Sequence, residues 1–343
     1  MFSEETRLKT DGSGMLDAYQ RWPSLAKEGF RVNYSPRSPP KKAYILGMGG
    51  SAAAGDIIEG WLYGRKGLEI GVMKGGVPSA GMKDSIAVAC SVSGNTVETV
   101  QMLSAAVEGG AQAVSISGDG MLSEKSAELG VPVIRVPKAM AQRLMLPFLV
   151  YSALSVLNSS FDLRCEDEVD ESVRSMESEW SDASPARPEP GNGAKVLASA
   201  LVHKVPAIYS DRIGYGVGVR FKNVLNENSK KHAHFDVVPE AFHNEIESWE
   251  DPGTDFLPVF IRHSWESPRD SAKVDHMVRI LVELGKTPVQ LRGKGASILS
   301  QLMSMTYRLD LASYYLAVAL GRDPTPTSLL DRLKSAGGLP NSH

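Results

Sequence analysis

Residues 85–100 read SIAVACSVSGNTVETV, an apolar run that leads through small residues into a helical pattern. The run is typical of a buried strand, and the residues after position 96 fit a helix. Between them lie Ser91, Ser93, Gly94 and Thr96, where solvent exposure alone would favour Lys and Glu. The first amides of a helix lack intrahelical partners, and small residues let a chain wrap closely around an anion there. The stretch therefore predicts a strand, an anion-binding turn and a helix.

A second turn of the same kind follows the apolar residues 43–46. It reads GMGGS at positions 47–51 and precedes the helical pattern of residues 52–62. Gly49 and Gly50 allow close backbone approach, and Ser51 adds a hydroxyl donor to the positive end of the helix dipole. One hydroxyl would be explained by helix capping alone, but two such turns favour a bound phosphate.

Strands alternate with helices along the first half of the chain, and a similar alternation restarts near residue 205. The pattern predicts an α/β fold of two doubly wound, flavodoxin-like domains with parallel sheets, which bind ligands at the carboxyl ends of their strands. The predicted boundaries are residues 1–157 for the first domain and 195–343 for the second, which includes a closing C-terminal helix. Residues 158–194, acidic and then rich in Pro, Gly and Ala, are the predicted linker.

Composition excludes several classes of protein. The net charge of −3 over 343 residues gives no reason to expect a nucleic-acid or membrane partner. Two cysteines, Cys90 and Cys165, suggest no disulfide framework, which fits a reduced, cytoplasmic setting. No apolar stretch is expected to reach the length of a membrane span, and the N-terminus lacks the layout of a signal peptide.

The first turn also fits the dinucleotide pattern G-x-G-x-x-G/A, with Glu69 as a candidate ribose partner. That reading leaves the hydroxyl-rich turn at residues 91–96 unexplained. A nicotinamide enzyme is therefore the less favoured alternative, and we expect no cofactor.

The motif S-x-S-G-N-T-x-E-T at residues 91–99 resembles the phosphosugar-binding signature of sugar isomerase (SIS) domains. Together with GMGGS, the segments LNENSK at 225–230 and FHNEI at 242–246 make the chain similar to the bifunctional phosphoglucose/phosphomannose isomerase family. The resemblance extends from about Ala43 to Lys334. It implies tandem SIS domains with the active site between them, converting glucose 6-phosphate and mannose 6-phosphate into fructose 6-phosphate through an enediol.

The resemblance also implies roles for single residues. Glu227 matches the base that moves a proton between C1 and C2, and Arg143 matches an arginine that stabilises the enediolate. The family usually has prolines just before that arginine, whereas this chain has Ala141 and Gln142. His243 matches the histidine that opens the sugar ring and reaches the active site from the partner subunit, so the resemblance implies a homodimer.

The C-terminal segment DPTPTSLLDRLK, at residues 323–334, matches the closing helix of the family. Thr327 corresponds to a threonine that makes room for either C2 epimer, and Lys334 to an active-site lysine. Seven residues are two helical turns, so both side chains are expected on one helix face.

Three histidines, His232, His234 and His243, raise the question of a metal site. Metal ligands usually come at helical or tight-turn spacing with further Cys or carboxylate groups, and no such set is evident, so we expect no metal. Two other functions stay open. One is a phosphosugar-binding regulator, which would usually carry an added domain; the other is an isomerase of another sugar phosphate, for which one SIS domain would be expected.

Overall fold

The computed structural model describes residues 1–63, 68–76, 81–250 and 255–336, with the side chains of 334–336 outside this description. The chain forms two compact units. The N-terminal unit comprises Ala18–Asp167 with the segment from Thr327 onward. The C-terminal unit comprises Met1–Asp17 and Glu168–Pro326.

The N-terminal unit is built on a five-stranded parallel sheet in the order β2-β1-β3-β4-β5. Its strands are β1 (Lys42–Gly47), β2 (Glu69–Met73), β3 (Ser85–Ser91), β4 (Gln112–Ser117) and β5 (Val133–Arg135). Its helices are α3 (Trp22–Phe30), α4 (Gly49–Leu62), α5 (Val97–Glu108), α6 (Met121–Glu128), α7 (Leu146–Phe161) and α13 (Ser328–Ala336), with a 3-10 turn at Gln142–Met145. Every residue of β3 is buried, as expected for a central strand covered on both faces.

The C-terminal unit contains a four-stranded parallel sheet in the order β7-β6-β8-β9. Its strands are β6 (Val205–Ser210), β7 (His234–Val237), β8 (Phe256–Arg262) and β9 (Val289–Arg292). Its helices are α1 (Glu4–Thr10), α9 (Gly193–Leu201), α10 (Tyr215–Glu227), α11 (Pro268–Glu283) and α12 (Ile298–Ala319), with 3-10 turns at Glu189–Gly191, Glu240–Phe242 and Glu245–Glu250. Helices α2 (Met15–Gln20) and α8 (Glu166–Ala183) cross the boundaries between the units. The predicted α/β class with two doubly wound parallel sheets is confirmed.

The units divide the chain at positions other than the predicted boundaries of 157 and 194. The first 17 residues group with the C-terminal unit, and Asp11 shows why. Its carboxylate accepts hydrogen bonds from the backbone amides of Met15 and Leu16, at 2.7 and 3.1 Å, and from the Tyr314 hydroxyl at 2.9 Å. The segment expected to be a linker contains α8, which is amphipathic and packs into the C-terminal unit through a buried Glu179.

Ion pairs hold the helices of the C-terminal unit together. Arg220 of α10 and Asp310 of α12 form a pair with N–O distances of 3.0 and 2.6 Å, and both side chains are at most 1% exposed. On the other side of α12, Arg308 binds Glu179 of α8 through two hydrogen bonds of 2.6 and 2.7 Å. These contacts fix the long, apolar α12 against its neighbours.

One segment contradicts the expectation that no stretch reaches the length of a membrane span. Among the described residues, Gln142–Phe161 is long and apolar enough to cross a membrane, but 83% of its most apolar window is buried inside the protein. A helix in the core of a domain meets the same criteria, because it must be apolar all round. The helix α7 that makes up most of this segment packs against α3 and α4.

Candidate functional site

The two glycine- and serine-rich turns lie at the same edge of the N-terminal sheet. They follow β1 and β3, which are neighbouring parallel strands with Gly47 paired to Cys90. The strand order reverses between these two strands, because β2 lies on one side of β1 and β4 lies beyond β3. In doubly wound sheets ligands bind at this switch point, outside the carboxyl ends of the strands. The structure therefore places the two turns next to each other, at the sheet edge where such folds bind ligands.

The first turn presents the N-terminus of α4 without a side-chain cap. Met48 is the N-cap residue in an extended conformation, and Gly49 has a φ of +52°, in the left-handed region. The amide of Ser51 donates to the Met48 carbonyl at 3.0 Å, and the Ser51 side chain is half-buried. Backbone N–H groups and the positive end of the helix dipole are thus presented at the switch point.

The second turn is organised by its own hydroxyl groups. Ser91 Oγ lies 3.1 Å from Thr96 Oγ1 and accepts a hydrogen bond from the Gly94 amide at 3.2 Å, while Ser93 Oγ accepts from the Asn95 amide at 3.2 Å. Thr96 is the N-cap residue of α5, yet its side chain does not cap the helix. Simple capping therefore does not account for these residues, and an accepting hydroxyl such as that of Ser93 retains a proton to donate.

Close packing against the start of α6 holds this turn in place. Gly94 has a φ of +73°, and a Cβ atom there would lie 2.1 Å from the carbonyl oxygen of Asp119. The Gly94 carbonyl accepts from the Leu122 amide at 2.8 Å, and Asn95 Oδ1 accepts from the Met121 amide at 3.2 Å. Only glycine satisfies both the conformation and the contact at position 94.

Arg143 belongs to the same unit and is buried. It lies in the 3-10 turn Gln142–Met145, which packs against α3, α4 and α7, and it is 7% exposed. This burial is inconsistent with an arginine that only forms an exposed ion pair at the surface. Although Ala141 and Gln142 stand where the family usually has prolines, the arginine that follows them still lies in the interior of the unit.

Glu227 is the last residue of α10 in the C-terminal unit, and its side chain is half-buried. The Lys230 ammonium donates to its backbone carbonyl and, at 2.7 Å, to the carbonyl of Pro326. Helix α10 covers the face of the sheet to which Phe235 points, since the rings of Tyr215 and Phe235 are 5.6 Å apart.

His243 is exposed and lies in the segment of residues 240–250, here called the His243 segment. This segment covers the opposite face of the sheet, because Glu245 contacts His234 and Tyr209 there. Successive side chains of a strand point to opposite faces, so His234 and Phe235 mark different sides. The sheet therefore lies between the His243 segment and the helix that carries Glu227, and the C-terminal unit does not bring these two predicted residues together.

The remaining predicted residues are Thr327, just before α13, and Lys334 within it. The Thr327 carbonyl accepts from the Asp331 amide at 3.0 Å, which begins the helix. Lys334 falls within α13, but its side chain lies outside the described residues.

Sequence reasoning missed a hydrogen-bonded pair at the switch point of the second sheet. Asp211 follows β6 and His263 follows β8; Asp211 Oδ1 lies 2.8 Å from His263 Nε2 and accepts from the Gly214 amide at 2.9 Å. The Trp265 amide donates to His263 Nδ1 at 3.1 Å, so Nε2 is the nitrogen that carries the proton. A carboxylate thus lies where the first sheet has its glycine-rich turn. Comparing the two halves of the sequence turn by turn would have revealed Asp211.

The expectation that no metal-ligand set exists is wrong in one respect. Ligand atoms of His234, Asp236 and Glu245 lie within 4.8 Å of one another. His234 and Asp236 share one face of β7, and Glu245 joins them from the His243 segment, so the spacing along the chain gave no sign of the set. These residue types suit a divalent cation.

Comparison with known proteins agrees with this architecture. A solved structure described as a hypothetical protein from Thermus thermophilus superimposes with a TM-score of 0.75 at 14% identity, covering 98% of this chain and 94% of that one. The family model described as bacterial phospho-glucose isomerase C-terminal SIS domain matches residues 191–336. The fold is thus that of an SIS-domain protein.

Named relatives show to which family of SIS-domain proteins this chain belongs. A bifunctional phosphoglucose/phosphomannose isomerase of Pyrobaculum aerophilum is 30% identical over 90% of this chain and 89% of its own length. Other relatives of 25–29% identity have the same name. A D-glucosamine-6-phosphate 4-epimerase of Sulfolobus acidocaldarius is 28% identical over 89% of this chain and 92% of its own length. The chain belongs to the bifunctional phosphoglucose/phosphomannose isomerase family.

Proposed function

We propose that the protein is an aldose–ketose isomerase that interconverts glucose 6-phosphate and mannose 6-phosphate with fructose 6-phosphate through an enediol. The observation that carries this proposal is the pair of uncapped turns at one switch point, the first rich in glycine and the second in hydroxyl groups, in a chain whose relatives are named as isomerases of these sugars. Its substrates are cytoplasmic metabolites, and both cysteines are free and buried, so we place the protein in the cytoplasm.

The two turns bind the phosphate of the sugar. The groups involved are backbone amides of the first turn and hydroxyls of both, from Gly49, Gly50, Ser51, Ser91, Ser93 and Thr96. A dianionic phosphate gains from the helix dipoles of α4 and α5 and from several hydrogen bonds at once. Fixing this end of the sugar positions C1 and C2 for reaction.

The chemistry is divided among side chains of both units. Glu227 takes the proton from C2 or C1 and returns it to the other carbon. Arg143 is permanently charged and stabilises the negative oxygen of the enediolate, and Lys334 adds a second cation. Thr327 leaves room for the hydroxyl of either C2 epimer, which lets both glucose and mannose phosphates react.

The position of His243 supports a homodimer, which is part of this proposal. Ring opening needs a group that both gives and takes a proton near neutral pH, as imidazole does. Within one chain the second sheet separates the His243 segment from the helix of Glu227. If both residues act on one sugar, His243 must come from the partner subunit.

Mixing two inactive variants tests this proposal. Glu227→Gln should abolish turnover while sugar-phosphate binding persists, and His243→Ala should abolish ring opening. In a heterodimer of the two variants, one site combines both defects and the other receives Glu227 and His243 intact. A co-expressed one-to-one mixture should therefore recover about one quarter of wild-type turnover with each six-carbon substrate. Full turnover by Glu227→Gln alone refutes the mechanism, and an inactive mixture refutes the shared site.

A second candidate function is epimerisation of an amino sugar phosphate, which the relative named D-glucosamine-6-phosphate 4-epimerase favours. Incubation with glucosamine 6-phosphate, followed by NMR of the product, separates the two functions. Turnover of glucose 6-phosphate also excludes a regulator that only binds phosphosugars.

A further inference from the structure

Glu245 lies two residues after His243 and at the centre of a hydrogen-bond chain. Trp249 Nε1–H donates to the Tyr209 hydroxyl at 3.0 Å, and that hydroxyl donates to Glu245 Oε1. The second carboxylate oxygen of Glu245 lies 2.8 Å from His234 Nε2. Burial, reinforced by the carboxylate of Glu245, raises the pKa of Tyr209, so its hydroxyl stays protonated and keeps donating.

The His243 segment is anchored at every fourth residue. Ala241 and Trp249 are buried in a hydrophobic cluster with Tyr209, and Glu245 lies between them against the strands. His243 and Glu247 alternate with these anchors and are exposed. The segment therefore has an inner side bound to β6 and β7 and an outer side that presents His243.

We propose that Glu245 is a positioning residue for His243. This rests on the proposed function, in which His243 opens the sugar ring. The carboxylate accepts from Tyr209 of β6 and contacts His234 of β7, so it fixes the segment to two strands at once. Without it, the segment is held by the apolar contacts of Ala241 and Trp249 and by the hydrogen bond from Trp249 to Tyr209. These contacts allow it to shift by the fraction of an ångström that proton transfer does not tolerate.

A divalent cation is the competing reading of the same cluster. Bound by His234, Asp236 and Glu245, it would replace the hydrogen bond between His234 and Glu245. The test therefore includes a chelator and added Zn²⁺ or Mn²⁺.

The experiment compares Glu245→Ala with the matched control Glu247→Ala, which removes an exposed carboxylate from the same 3-10 turn. Glu245→Ala should lower kcat on glucose 6-phosphate about tenfold to hundredfold and leave KM within about twofold. Acid–base catalysis contributes about 10²–10⁴-fold, and a displaced His243 loses part of that contribution. Glu245→Gln keeps an acceptor for Tyr209 and should restore most of the lost rate. The double variant His243→Ala/Glu245→Ala should be no slower than His243→Ala alone.

A four-carbon aldose 4-phosphate cannot close a ring, because its O4 is esterified. Exchange of its C2 proton with deuterated solvent therefore needs Glu227 but not His243, and Glu245→Ala should leave this exchange unchanged. The proposal is wrong if the rate losses of His243→Ala and Glu245→Ala add in the double variant. It is also wrong if Glu245→Ala slows proton exchange of the acyclic substrate as much as it slows turnover of glucose 6-phosphate. The proposal is overturned in favour of a cation site if a chelator lowers the rate of the wild type as Glu245→Ala does and added Zn²⁺ or Mn²⁺ restores that rate.

Amide hydrogen exchange over residues 240–250 separates this proposal from the proposed function. Exchange should be faster in Glu245→Ala than in Glu247→Ala, and this needs no turnover. A wild type that converts no sugar phosphate refutes the proposed function, whereas unchanged exchange in Glu245→Ala refutes the anchoring alone. If Glu245→Ala does not fold, Tyr209→Phe, which removes the donor to Glu245 instead, takes its place in the same comparisons.

Discussion

Replacing Gly94 by alanine tests the geometry of the phosphate turn. The added Cβ would lie 2.1 Å from the Asp119 carbonyl oxygen, where real contacts of this kind stay beyond 3.0 Å. The turn and the start of α6 must separate by about 0.9 Å to relieve the clash. Alanine must also adopt a φ of +73°, which L residues rarely do.

The structure offers a matched control in Gly110→Ala. Gly110 has a φ of +88°, but its nearest neighbours would lie 3.8 Å from the new Cβ, in ordinary contact. Backbone strain alone costs about 1–2 kcal/mol, so Gly110→Ala should lose that much stability. Gly94→Ala adds overpacking of about 1–3 kcal/mol, for a total loss of about 2–5 kcal/mol.

Urea denaturation gives the two losses of stability, and steady-state kinetics with glucose 6-phosphate gives KM. Gly94→Ala should raise KM about tenfold or more, since it displaces hydroxyls that hold the phosphate, whereas Gly110→Ala should leave KM unchanged. Ser93→Ala/Thr96→Ala removes hydroxyls without moving the backbone and should mainly raise KM as well. A folded Gly94→Ala protein with wild-type KM would falsify the assignment of this turn to the phosphate.

Two further predictions concern the C-terminal unit. Asp310→Ala leaves the Arg220 guanidinium buried without its partner and should lower the free energy of unfolding by about 3–5 kcal/mol, measured in urea. Glu5→Gln, which breaks an exposed pair, should cost under about 1 kcal/mol, and equal losses would contradict this reasoning. The hydrogen bond from Lys294 lowers the pKa of Asp182, so this pair stabilises the fold above about pH 4 and loses its effect as pH falls. The unfolding free energies of wild type and Lys294→Met should therefore converge toward about pH 2; a constant gap would argue against the linkage.

Regular, strongly patterned elements could be predicted from the sequence. The apolar patterns of residues 86–90 and 299–320 predict a strand and a helix, and the structure has Ser85–Ser91 and Ile298–Ala319. Both elements are almost wholly buried, so each appears in the sequence as one continuous, mainly apolar run that can be recognised without knowing its distant partners. The first turn and the second were also predictable, because small residues at a strand end leave few alternatives.

Elements that depend on distant partners were not predictable. Strand β7, His234–Val237, has four residues, and two of them are ionisable. It is a strand because it pairs with β6 at the edge of the sheet, which no local pattern reveals. The contacts of Glu245 likewise join residues up to 36 positions apart along the chain. The 3-10 turn Gln142–Met145 lies within a stretch that reads as one continuous helix.

The hydrogen bond between Asp211 and His263 has a consequence for binding stoichiometry. A duplicated phosphate-binding domain would by default hold two phosphates in each chain. At the second switch point the chain supplies its own negative group, which already accepts hydrogen bonds from His263 and the Gly214 amide. A second anion approaching to about 4 Å would meet repulsion of about 4 kcal/mol per pair of unit charges near the surface. We therefore expect each polypeptide to bind one sugar phosphate rather than two.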